Sequence, residues 1–134
     1  MSNQGFSLVE LLIVVVIIGI LVVISVPMLR ESKLAAENTA AIATLRFLSN
    51  AEEVYYSTTA GSKTYGTFQQ MHAKNYLDDR FSSGAATIDG FTFTAEISST
   101  SFTFWARPID EVNPTYYITN NYVIRFENGE PVSR

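Results

Sequence analysis

The chain has 134 residues, a formal net charge of −4 and no cysteine. This excludes disulfide staples, thiolate metal centres and thiol nucleophiles, and the length fits one small domain plus one further segment. All nine Lys and Arg, and every acid except Glu10, lie from Arg30 onward without forming a basic stripe, so nucleic acid and anionic headgroups are poor partners.

The first element is apolar. Between Phe6 and Leu29 the only clearly polar side chains are Ser7, Glu10 and Ser25, and residues 11–24 carry none. Residues 6–29 make roughly 36 Å of helix at about 1.5 Å per residue, enough to cross a hydrocarbon core of roughly 30 Å. An ordinary secretory signal is a competing reading, with a mature N-terminus near residues 26–29. It wants a basic n-region and a small-x-small cleavage site. Only residues 1–5 precede the run, with no Lys or Arg, and Ser25-Val26-Pro27 is a poor site.

Glu10 is the anomaly in this segment. A carboxylate near the middle of a spanning helix costs about 2.5–3.5 kcal/mol, less toward an interface, and such groups are usually paired and functional. One reading leaves Glu10 near the bilayer edge, snorkelling to water. The other requires a cation, and the segment offers none before Arg30. A cut between Gly5 and Phe6 would create one, because the new α-amino group has an unperturbed pKa of about 7.7–8.0. That amine would lie one turn from its own Glu10, and near a neighbour's Glu10 if helices pack with an axial stagger. An intermolecular pair of this kind sets register, since other staggers leave two charges unpaired in an apolar bundle.

Gly5-Phe6-Ser7-Leu8-Val9-Glu10-Leu11-Leu12-Ile13 resembles the class III signal motif of type IV prepilins and pseudopilins. The resemblance implies cleavage after Gly5 by a prepilin peptidase, N-methylation of Phe6, and pairing of Glu10 with the Phe6 amine of a neighbouring subunit. It also implies an inner-membrane precursor with a cytoplasmic N-terminus, later an extracellular or periplasmic filament. The implied partners are identical subunits in a helical homopolymer, minor pilins, an inner-membrane assembly platform with its ATPase, and membrane lipid before assembly. The chain departs from the pattern in two ways. Its leader MSNQG lacks Lys and Arg, and Arg30 and Lys33 follow the span, where the positive-inside rule alone favours the opposite orientation.

Gly19 and Pro27 lie within the same helix. Proline removes one N–H and clashes with the carbonyl of Val23, and glycine costs roughly 1 kcal/mol relative to alanine. A packing notch and kink is one reading. Stretching of the helix when subunits leave the bilayer is the other, and it is the one the family pattern implies.

Beyond Pro27 the pattern turns amphipathic. Leu34, Ala41, Leu45, Leu48 and Tyr55 share one helical face, with Lys33, Glu37, Thr44 and Arg46 opposite. Residues 30–60 are expected to continue the helix, with a stop at Thr58-Thr59-Ala60-Gly61-Ser62. Residues 68–79 are expected to form a short helix capped by Thr67. From Asp89 the period becomes two. Phe91, Phe93, Ala95 and Ile97 alternate with Thr92, Thr94 and Glu96, and a hairpin at Ser98-Ser99-Thr100 leads to a strand from Phe102 to Arg107. Residues 116–119 and 122–126 form a second pair around Asn120-Asn121, and Asn128-Gly129 marks a final turn.

The predicted fold is α+β: a long N-terminal helix, half transmembrane and half amphipathic, packed on a four-stranded, mostly antiparallel sheet. The expected organisation is a leader (1–5), an assembly helix (6–29), an amphipathic helix (30–60) and a globular β domain (61–134). The stretches around Tyr76-Leu77-Asp78, Gly90-Phe91-Thr92-Phe93 and Val123-Ile124-Arg125 are also similar to the C-terminal domains of short pilins and pseudopilins.

No enzyme pattern is present. His72 is the only histidine, and no Ser/His/Asp, P-loop or dinucleotide motif occurs. No cofactor is expected. Some pseudopilins hold calcium in a C-terminal loop, and Asp110, Glu111 and Asn113 are the candidates the resemblance offers, against a plain solvated loop. Tyr55-Tyr56, Tyr116-Tyr117 and Trp105 are candidates for exposure at subunit contacts. The expected function is a structural pilus subunit, with a type II secretion pseudopilin as the alternative. A non-polymerising single-span protein with a partner-binding outer domain is the reading from another class. Motility, adhesion, DNA uptake and secretion all stay open as uses of the filament.

Overall fold

The computed structural model describes residues 5–59 and 63–133. The chain divides into two units, residues 1–35 and 36–134, and helix α1 (Leu8–Thr58) contributes to both. The leader residues 1–4 and the expected stop at Ala60-Gly61-Ser62 lie outside the described residues.

In the first unit α1 is helical through both Gly19 and Pro27. Pro27 cannot donate to the Val23 carbonyl. On either side of it Ser25 Oγ donates to the Leu21 carbonyl (2.7 Å) and Ser32 Oγ to the Met28 carbonyl (2.9 Å). These back-bonds satisfy the hydroxyls inside the helix itself. Every residue from 5 to 33 is exposed, so the apolar side chains from Leu8 to Leu29 have no cover of their own.

In the second unit α1 buries Ala41, Leu45, Leu48, Glu52 and Tyr55 at spacings of four and three. Leu34 and Asn38 continue the same stripe backward, half-buried. The sequence reading places Glu37 on the opposite face, and the structure corrects this. Glu37 stands four residues before Ala41, hence on the same side, and it accepts a hydrogen bond from Asn113 Nδ2 at 3.1 Å.

Helix α2 (Phe68–Ala73) starts at a complete capping box: Gln70 N–H donates to Thr67 Oγ1, and Thr67 N–H to Gln70 Oε1. It is shorter than the expected 68–79. Asn75 turns left-handed (φ 61°), while Tyr76 N–H reaches the Met71 carbonyl and Asn75 N–H the His72 carbonyl. This is a Schellman stop built on asparagine. Asp78 then caps a single 3-10 turn, Asp79–Phe81.

The sheet has five strands rather than four, all antiparallel in the order β1-β2-β3-β4-β5. They are β1 (Ala85–Ile88), β2 (Phe91–Ile97), β3 (Phe102–Pro108), β4 (Tyr116–Thr119) and β5 (Ile124–Phe126). The added strand is β1, whose Ala-Ala-Thr-Ile is a weak strand former in isolation. It is set by Asp89-Gly90, both at positive φ (48° and 80°), in a two-residue hairpin that pairs Ile88 with Phe91. β5 begins at Ile124 rather than Tyr122, because Tyr122 itself takes a left-handed conformation (φ 58°) in the preceding turn.

Period two does the rest. Phe91, Phe93, Phe102, Phe104, Ala106, Tyr116, Ile118 and Ile124 face inward and are buried. Together with Leu45, Leu48, Phe68, Met71 and Phe81 they form one core. Each fully buried Phe contributes about 1.5–3 kcal/mol by transfer from water, so this aromatic layer dominates the stability of the unit. Tyr55 and Tyr116 belong to it and are therefore not surface contacts. Trp105 and Tyr117 lie half-buried on the outer face, their rings 4.9 Å apart, with Arg107 over Trp105 at 4.7 Å. Tyr56 is half-buried, stacked on Tyr65 at 4.8 Å.

Candidate functional site

The residues from Gly5 to Ser7 precede α1 in non-helical backbone, and Leu8 is the first helical residue. Ser7 therefore stands at the N-cap and Glu10 at the third helical position. Glu10 Oε2 accepts the Ser7 N–H at 2.9 Å, and Leu11 N–H closes the first turn on the Ser7 carbonyl at 3.2 Å. This is the carboxylate half of a capping box. Its S-x-x-E signature is visible in Ser7-Leu8-Val9-Glu10, although an argument from charge alone passes over it. A carboxylate in the first turn also meets the positive end of the helix dipole, a contribution of about 0.3–1 kcal/mol.

The Gly5–Phe6 peptide bond lies just ahead of this cap. Phe6 is 79% exposed, and a Cβ placed on Gly5 would meet nothing within 4 Å. The nitrogens of Phe6 and Ser7 are joined through one Cα and one carbonyl carbon, which holds them roughly 3–4 Å apart. An amine released at Phe6 would thus arise beside the very donor that already orients Glu10. The geometry places an accessible peptide bond and a positioned carboxylate within one turn.

Residues 1–26 match the family model of the prokaryotic N-terminal methylation motif. Over these residues the chain is similar to the class III signal peptide of type IV pilins and pseudopilins. The match takes in Gly5, Phe6, Glu10 and Gly19, and it stops one residue before Pro27. No curated protein and no solved structure matches the chain. α1 is the one helix among the described residues long and apolar enough to cross a membrane. With this signal peptide it marks a membrane-anchored precursor. The motif implies processing by a prepilin peptidase and assembly into filaments.

The calcium candidates are dispersed in role. Asp110 and Glu111 are exposed, whereas Asn113 is buried with its amide bound to Glu37. No three of the described His, Asp and Glu residues come together as a metal-holding group. His72 Nε2 lies 3.0 Å from Asp79 Oδ1 at the surface. The Arg80 guanidinium hydrogen-bonds Asp78 at 2.6–3.1 Å and holds that carboxyl below its usual range.

The sequence reading did not single out Glu52. It occupies the gap in the α1 stripe between Leu48 and Tyr55 and is fully buried. Gly66 N–H donates to its Oε1 at 2.5 Å, while Oε2 has no hydrogen-bond partner among the described residues. Burial pushes its carboxyl up to about 7, against the smaller lowering effect of the Gly66 bond. The spacing could have exposed it, since the missing member of a seven-residue interval four after Leu48 is position 52. Gly66 is itself required, because a Cβ there would lie 2.7–2.9 Å from the Tyr55 ring. At the residue next to Glu52, Glu53 accepts a short hydrogen bond from the Tyr122 hydroxyl. Burial and this carboxylate both raise the phenol's pKa, so it stays a neutral donor. The bond offsets part of the roughly 1–2 kcal/mol a left-handed Tyr122 costs.

Proposed function

We propose that the chain is a structural subunit of a type IV pilus, polymerising through its apolar N-terminal helix after cleavage behind Gly5 and methylation of Phe6. The observation that carries this reading is Glu10, the one acid on an otherwise apolar span, held at the residue next to the proposed new amine within a matched methylation motif. In lipid the exposed face of α1 is solvated by acyl chains. In the filament, neighbouring helices replace them, and a Glu10 carboxylate exchanges the Ser7 N–H for the Phe6 ammonium of an adjacent copy. Desolvation makes this charge-assisted bond stronger than in water and penalises staggers that miss it.

The processing and polymerisation partners are a prepilin peptidase with methyltransferase activity, an inner-membrane platform with its ATPase, minor pilins and identical subunits. A type II secretion pseudopilin would use the same N-terminal residues and differ in where the fibre ends. Gly19 and Pro27 are the places where α1 can lengthen on leaving the bilayer.

Mass spectrometry of the N-terminal peptide from sheared cell-surface material tests the reading. A peptide starting at methylated Phe6 in that fraction is the expected result. An intact Met1 start in native membranes, with nothing in the sheared fraction, would replace it with the unprocessed single-span protein.

A further inference from the structure

The second unit carries two surface features that the core does not use. The first is a groove of about 640 Å³ beside the edge strand, lined by Ile42, Arg46, Tyr122, Val123, Ile124 and Val132. Its lining side chains are Ile42, Val123, Ile124 and Val132 with Arg46 and Tyr122, and the surface it exposes is as much polar as apolar. The Tyr122 hydroxyl is committed to Glu53, and Arg46 forms no ion pair among the described residues. The second is the turn 109–112, Ile-Asp-Glu-Val, which joins β3 to β4. Ile109 and Val112 are 65% and 58% exposed, and Asp110 and Glu111 between them are exposed too.

The turn is held at its base. Ile109 N–H donates to the Gly90 carbonyl at 2.9 Å, and Asn113 is buried on Glu37. Such a tip loses little freedom on docking. Two aliphatic side chains flanking two carboxylates match a groove whose surface is part aliphatic and part polar and whose one charged lining side chain is a guanidinium. The turn does not fill the groove of its own chain. Asn113 anchors it level with Glu37, whereas Arg46 lies nine residues further along α1, roughly 13 Å of helical rise.

We propose that the turn 109–112 of one copy docks into the Ile42–Arg46–Val123–Val132 groove of a second copy, with Asp110 or Glu111 facing Arg46. The contact is heterologous, because turn and groove are different surfaces of the same molecule. Repetition therefore adds copies head to tail rather than closing a two-fold dimer, and a filament corresponds to the case in which the ring does not close. This rests on the reading of the chain as a filament subunit and gives that filament a specific contact between its outer domains.

The absence of cysteine makes a cross-linking test clean. Full-length chain carrying both Val123→Cys and Val112→Cys, two exposed positions that leave Arg46, Asp110 and Glu111 in place, is expressed in the host. It is treated with a short bis-maleimide that spans a groove residue and a turn residue in contact. A ladder of dimers, trimers and higher species is expected, with each single variant giving none. A host co-expressing the two single variants is expected to add a dimer. Sheared filaments without a ladder would overturn the contact and leave the pilin reading standing. A ladder in membranes that yield no filaments and no processed Phe6 would support the contact and overturn the pilin reading. Neither filaments nor ladder would overturn both. As an independent arm, Arg46→Glu is expected to lower filament yield several-fold, and Glu111→Arg in the same chain to restore it. Wild-type yield from Arg46→Glu, or a lowered yield that Glu111→Arg does not restore, would also overturn the contact.

Discussion

Replacing Glu52 by glutamine removes one ionisable proton from the centre of the α1 stripe while keeping the side chain's shape. In the unfolded chain this carboxyl titrates near 4.5, and in the fold it does so at about 7. Between those values the native state holds a proton that the unfolded state has released. The stability of the native state therefore falls as pH rises through the interval and levels off above about 7. Each unit is worth 1.36 kcal/mol, so the fall amounts to about 3 kcal/mol. The glutamine variant keeps an acceptor for the Gly66 N–H and cannot ionise. Chemical unfolding of the full chain in detergent, followed by circular dichroism from pH 4.5 to 8.5, reads both proteins on one scale. The wild type minus Glu52→Gln difference should change by about 3 kcal/mol across pH 4.5–7.5, with the variant the more stable at pH 8. Parallel pH profiles would refute the reasoning, because they would mean that Glu52 ionises in the fold as freely as in the unfolded chain.

Two further substitutions probe the other ends of the argument. Glu10→Ala should leave membrane insertion and processing at Phe6 intact while reducing sheared filaments sharply, and a normal filament yield from this variant would remove the register role from Glu10. Gly90→Ala should cost at least about 1–2 kcal/mol for a non-glycine residue at φ 80°, with a further loss because the new Cβ would lie 3.1–3.3 Å from the Glu37 carboxylate. A melting temperature equal to wild type would show that the β1–β2 turn relaxes without cost.

Much of the molecule could be read from residue order. The methylation motif, the spanning run, the Thr67 cap and the Phe/Thr alternation of β2 and β3 are local patterns, each set by spacing along the chain. A local pattern survives wherever short-range geometry decides the outcome. β1 was missed, because Ala-Ala-Thr-Ile carries little intrinsic preference and becomes a strand only by pairing with Phe91–Ile97 across the Asp89-Gly90 turn. The end of α2 likewise depends on Asn75 adopting a left-handed turn, which many asparagines do not.

At the N-terminus the residues themselves determined both the bond proposed for cleavage and the lone carboxylate, since Gly5, Phe6 and Glu10 lie within about one helical turn. The rest was decided by tertiary structure. Only folding carries Gly66 to Glu52, fourteen residues away, and Tyr122 to Glu53 across sixty-nine. Only folding brings Ile42 and Arg46 alongside Val123 and Val132. A buried carboxyl's proton affinity and a groove's shape arise from groups distant in sequence, so no spacing along the chain encodes them by itself.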